Sequence, residues 1–133
     1  MGLSDEERNS VVQFRMEKAN KTFAEIDNLK KLGYWQTAAN RLYYACYYAV
    51  SALLIQNGIV AQTHSGVINQ FGLHFIRKGL LSAENGKFYK RLFELRQTGD
   101  YSDWIDVDEE DLTPLIPKAQ KFIETIEKLI LDI

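Results

Sequence analysis

The sequence predicts an all-α fold, an antiparallel up-and-down bundle of about five helices, and three observations predict it. Apolar residues recur at steps of three and four along most of the chain. Only two prolines interrupt its 133 residues. Glycines 33, 58, 79 and 99 fall where the periodic runs end, and a left-handed residue ends a helix at little cost. The length suits one domain with a real core and is short for two. No internal repeat, low-complexity tract or linker divides it, so residues 1–133 read as a single helical domain.

Ser4 and Glu7 form a capping box at the start of a helix expected over residues 5–32, with Val12, Met16, Ala19, Phe23, Ile26 and Leu29 on its buried face. A second helix, 34–57, carries an inner stripe of Ala38, Leu42, Ala45, Ala49 and Leu53, widened by Ala39, Cys46 and Val50. A helix this apolar around its circumference belongs in the middle of a bundle. Thr63 is the N-cap of a third helix ending at Gly79, with Val67, Ile68, Phe71, Phe75 and Ile76 turned inward. Ser82 or Asn85 opens a fourth, with Phe88, Leu92 and Leu95 inside and Gly99 as its stop. An acidic loop spans 100–111. The last helix starts at Thr113–Pro114 or at Ile116–Pro117 and continues through Ile123, Ile126, Leu129 and Ile130.

Apolar residues at 46% and charged residues at 26% describe an ordinary soluble globular protein. A net charge of -2 argues against a surface that is wholly a nucleic-acid platform and leaves room for a local basic patch. The lone Cys46 has no disulfide partner in the chain, which fits a reducing cytoplasm. "MGLSDEERN" lacks an apolar signal core and the residue-6 hydroxyl of a myristoylation signal, and no window is apolar enough to span a bilayer. A cytoplasmic protein without membrane contact is expected.

Most catalytic chemistries find no support. Asp100, Asp103, Asp106, Asp108, Glu109, Glu110 and Asp111 lack the spacing of a calcium loop and suit a solvated segment before a helix start. His64 and His74, ten residues apart, do not form a metal pair, and neither a metal nor a cofactor is expected. Cys46 lies among alanines and leucines, where a thiol is inert. No glycine-rich phosphate loop is present.

Two stretches remain. In "NRLYYACYYAVSALL" (40–54), Asn40, Tyr44, Tyr47 and Ser51 share one helix face, with Arg41 and Tyr48 at its edge. Tyrosine rings fill volume there while their hydroxyls seek partners, and arginine can stack on them. In "RLFELRQTGDY" (91–101), Tyr89, Phe93 and Arg96 share a face expected to lie opposite the Phe88–Leu92–Leu95 core stripe. Lys87, Lys90, Arg91 and Arg96 make this helix basic. Arg96 in the last turn would oppose the negative helix end, and with Asp100 and Tyr101 it could hold a phosphate or a base.

"AANRLYYACYYAVSALL", "THSGV" and "RQTGDY", in that order and spacing, resemble the HEPN family (higher eukaryote and prokaryote nucleotide-binding domains), most closely its small stand-alone prokaryotic members. The resemblance covers Phe23 to Leu129. It implies a helical bundle, often a homodimer, that acts as a toxin or defence ribonuclease or as a nucleotide- or protein-binding module. It also implies a minimal nucleotidyltransferase as a partner. The family's nuclease signature is an arginine followed after four to six residues by a histidine. Arg96 matches that arginine, but Tyr101 stands where the histidine would be, and a phenol with its pKa near 10 is a poor general base.

The expected function is therefore a nucleotide- or RNA-binding module of a toxin–antitoxin or defence-like system, with Arg41, Tyr44, Tyr48, Arg96, Asp100 and Tyr101 as its binding residues. A ribonuclease with a degenerate Arg96–Tyr101 site is the second reading. A third is structural: Arg41 and Arg96 tie the second and fourth helices together through Asp100 and the tyrosines.

Overall fold

The computed structural model describes residues 2–101 and 107–131, and the side chains of all of these except 97–101. The described residues are helical with no strand among them, in agreement with the all-α bundle. Helix α1 (Asp5–Ala24) opens on the expected capping box. The Glu7 N–H donates to Ser4 Oγ and the Ser4 N–H to Glu7 Oε1, each at 3.1 Å. These two bonds to the serine hold the Glu7 carboxyl below its usual pKa. The helix does not run unbroken to residue 32. At Glu25 the N–H closes back on the Thr22 carbonyl at 3.1 Å, and a separate short helix α2 (Ile26–Lys31) follows with Ile26 in the core. Gly33, at φ 75°, makes the turn into the next helix.

Helix α3 (Trp35–Gln56) is the central element, packed against α1 and α2 and against the two later long helices. Its whole expected stripe, with Ala39, Cys46 and Val50 beside it, is buried. The alanines leave a thin helix surface that neighbours can approach closely. Ser51, expected on the polar face, is buried as well.

Thr63 caps α4 (His64–Phe71), its Oγ1 accepting from the Gly66 N–H at 2.9 Å. The helix then widens to a π turn over Gly72–Ile76, closed by the Arg77 N–H on the Gly72 carbonyl at 2.9 Å, before Gly79 ends it. Helix α5 (Ala83–Tyr101) continues through Gly99, so that glycine is not its stop. Arg96 accordingly lies before the last turn, and compensation of the helix end is not its role.

The segment expected as an acidic loop is helical at both ends. Residues 100–101 finish α5, and a single turn, α6 (Glu109–Leu112), is closed by a capping box between Asp108 and Asp111. Residues 102–106 lie outside the described residues. Helix α7 (Leu115–Leu131) starts one residue after Pro114. Pro117 sits in its first turn, where the missing N–H has no intrahelical partner to lose. Ala119, Phe122, Ile123, Ile126 and Ile130 complete the core. Among the described residues no helix is long and apolar enough to cross a membrane.

Candidate functional site

The tyrosines of α3 do not share one environment. Tyr43, at 0% exposure, points into the junction of α3, α4 and α5, while Tyr44, Tyr47 and Tyr48 are half-buried beside it. Tyr89 of α5 is also fully buried, stacked on Tyr43 with ring centres 5.8 Å apart and planes 15° from parallel. The face carrying Tyr89, Phe93 and Arg96 is therefore turned toward α3, not away from the core. The spacing of these residues put them on one face, and the burial of Tyr89 decides which face that is.

Arg96 reaches over the tyrosines. Its guanidinium carbon lies 5.6 Å from the centre of the Tyr43 ring and 5.3 Å from that of Tyr44, within the range of a cation–π contact. On the same two rings sits His64. Its ring centre is 5.6 Å from Tyr43 and 5.8 Å from Tyr44, with Tyr47 at 4.9 Å and Phe93 at 6.1 Å. His64 Nδ1 and Tyr43 Oη are joined by a hydrogen bond of 2.6 Å.

The sequence, which singled out His64 only to exclude a metal pair with His74, gave no direct sign that it meets the tyrosines and Arg96. The Thr63 cap fixes the start of α4, and His64 lies three and seven residues before Val67 and Phe71, both buried. That spacing places all three on the face α4 turns to the bundle. It was the available signal.

The environment tunes these groups. Burial, with the nearby Arg96 cation as a smaller second cause, holds the His64 imidazole below its ordinary 6.5, so it is biased toward the neutral form. Burial pushes the Tyr43 phenol up to about 12, and drives Tyr89 well above its usual value. Both phenols stay protonated at neutral pH. Burial likewise raises the Cys46 thiol, which leaves it no nucleophilic role.

Other expected site residues go elsewhere. Arg41 Nε donates to Glu25 Oε2 at 3.2 Å and its Nη2 to Thr22 Oγ1 at 3.5 Å, tying α3 to the α1–α2 junction. Tyr48 faces α1, with Lys18 Nζ 4.8 Å above its ring. Tyr44 is the one that meets Arg96. The side chains of Asp100 and Tyr101 lie outside those described.

A second feature lies on another face of α5, turned away from the one that carries Tyr89, Phe93 and Arg96. Lys87 and Arg91 of α5 and Lys118 and Lys121 of α7 line a groove of about 530 Å³, with Phe88 and Phe122 also in its wall and Glu84 as the single acid. All four cations are exposed. The local basic patch that the acidic total conceals is here.

Compared with known proteins, residues 12–129 match the family model of the HEPN domain. A Thermotoga maritima protein named "UPF0332 protein" is 39% identical over 127 residues, which is 96% of each chain. Two Methanocaldococcus jannaschii proteins carry the name "Putative toxin". One is 31% identical over 88% of this chain and 80% of its own length, and the other 28% over 92% and 90%.

Proposed function

The chain belongs to the HEPN domain family, and on that premise we propose that it is a toxin-type module that binds RNA where Arg96 overlies Tyr43 and Tyr44. The observation that carries this reading is the guanidinium held 5.3 Å above the half-buried Tyr44 ring. A cation at that place meets a phosphate, and aromatic side chains beside it offer faces on which bases stack without regard to sequence. The names of the archaeal relatives support the toxin-type assignment. The groove between α5 and α7 supports a polymer over a mononucleotide. Its four cations against one acid can track several phosphates. The resemblance of the sequence motifs further supports action as a homodimer together with a minimal nucleotidyltransferase.

Fluorescence anisotropy of a labelled single-stranded RNA tests the reading, with AMP and ATP as competitors. Arg96→Ala should weaken RNA binding by about tenfold or more, as loss of a charge-assisted phosphate contact of roughly 1.5–3 kcal/mol requires. Lys118→Ala with Lys121→Ala should lower the slope of log affinity against log salt by about 1.4, at roughly 0.7 per phosphate for single strands. RNA affinity unchanged by Arg96→Ala defeats the assignment of this cluster.

A further inference from the structure

We infer that the seam of α1 and α3 carries a second nucleotide subsite, made by Lys18 and Phe14 with Tyr48, into which a single strand of RNA continues from Arg96. The inference rests on RNA binding at Arg96. The chemistry of the first subsite is repeated at the second. At the first, one guanidinium lies over two rings, 5.6 Å from the centre of Tyr43 and 5.3 Å from that of Tyr44. At the second, the Lys18 Nζ lies 4.8 Å from the centre of Tyr48 and 5.9 Å from that of Phe14. Tyr44 and Tyr48 stand one helical turn apart on α3 with ring centres 6.1 Å apart, so the two units adjoin.

Packing does not account for the second unit. Phe14 is 60% exposed and adds nothing to the core. Lys18 is exposed as well, and no carboxylate among the described residues forms an ion pair with it. Helix α3 brings no aspartate or glutamate to the seam. A phosphate arriving there meets an ammonium that two rings already hold in place, and its charge can be met by the three N–H donors of that group. The open face of Phe14 offers the neighbouring base a surface to stack on, whatever its identity. Tyr48 is half-buried and acts as a positioning residue: it holds the ammonium and joins the subsite to Tyr44. The ligand this selects is unpaired RNA of two nucleotides or more, because a base must leave its own stack to lie on Phe14.

Anisotropy titrations with labelled oligoadenylate and oligouridylate, repeated over a range of salt, test this. Lys18→Ala should weaken binding of both RNAs by about fivefold or more and lower the slope of log affinity against log salt by about 0.7, the loss of one phosphate contact. Phe14→Ala should weaken both by about fivefold or more and leave the slope unchanged, as loss of a stacked base requires. Phe14→Trp keeps a ring and should bind as the wild type does, and so should Tyr48→Phe. Lys18→Ala and Phe14→Ala proteins with wild-type affinity, in a chain where Arg96→Ala still weakens binding, overturn the second subsite alone. A wild type that binds no RNA, or one whose binding ignores Arg96→Ala, overturns the reading on which the subsite stands. Sedimentation of the same proteins covers the remaining outcome: if Phe14→Ala dissociates a wild-type oligomer and leaves RNA affinity unchanged, the seam is a protein contact and the inference fails.

Discussion

At the residue scale the site turns on which charges are allowed beside His64. Burial and Arg96 both oppose its protonation, so its pKa in the folded protein lies below 6.5. Removing the cation in Arg96→Ala should raise that pKa, and a proton-detected titration of the His64 ring reads the change directly. The same shift enters stability. An unfolded chain takes this proton at about 6.5, the folded one only at lower pH. The contribution is therefore complete above about 6.5 and is lost as pH falls from there toward the depressed folded value. Urea midpoints at pH 7.5 and 5.5 should fall further apart for wild type than for His64→Gln, and equal differences would show that His64 titrates as it does in water. Sequence made part of this legible. The tyrosine run could be singled out by residue type, because four phenols and Arg41 on an apolar helix call for partners, and Arg96 through its place in "RQTGDY". His64 escaped because its partner Tyr43 is 21 residues away, across a helix packing that no local pattern encodes.

At the element scale, α4 is the part that delivers His64, and its start depends on one hydroxyl. Thr63→Ala removes the acceptor of the Gly66 N–H and should cost about 1 kcal/mol in denaturant unfolding, while Thr63→Ser should cost little. A Thr63→Ala protein with unchanged stability would mean that packing of Val67 and Phe71 alone fixes the helix start. Caps of this kind were readable, as were the turns at Gly33, Gly58 and Gly79, which all adopt positive φ. Gly99 carries the same letter and sits inside α5, since one glycine weakens a helix without ending it. The break at Glu25 was not readable for a different reason. The residue's side chain meets Arg41 from α3, 16 positions on, and Thr22 beside it meets the same guanidinium. Both contacts exist only once α1 and α3 have packed.

At the scale of the whole molecule, the site is the outer end of a column of rings. Tyr43 of α3 stacks on Tyr89 of α5, and Tyr89 on Phe122 of α7 at 5.9 Å and 11°, so one continuous stack joins three helices. Aromatic pairs add about 0.5–1.5 kcal/mol each beyond the area they bury. The geometry of Tyr43, and through it of His64, is thereby linked to the core. Cys46 offers a way to measure this. It is the only cysteine, fully buried in α3, and its thiol is raised by that burial, so a thiol reagent should reach it only when the bundle opens. Phe122→Ala empties the end of the column and should destabilise the fold by about 3–5 kcal/mol, a large part of the roughly 5–15 kcal/mol typical of a domain. Where closing is fast relative to labelling, the labelling rate follows the open population. At about 1.4 kcal/mol per factor of ten, Cys46 should then react at least a hundredfold faster in the variant. A rate that barely moves while Tyr43 remains ordered would show that the column is three separate contacts, and that α7 does not support the site.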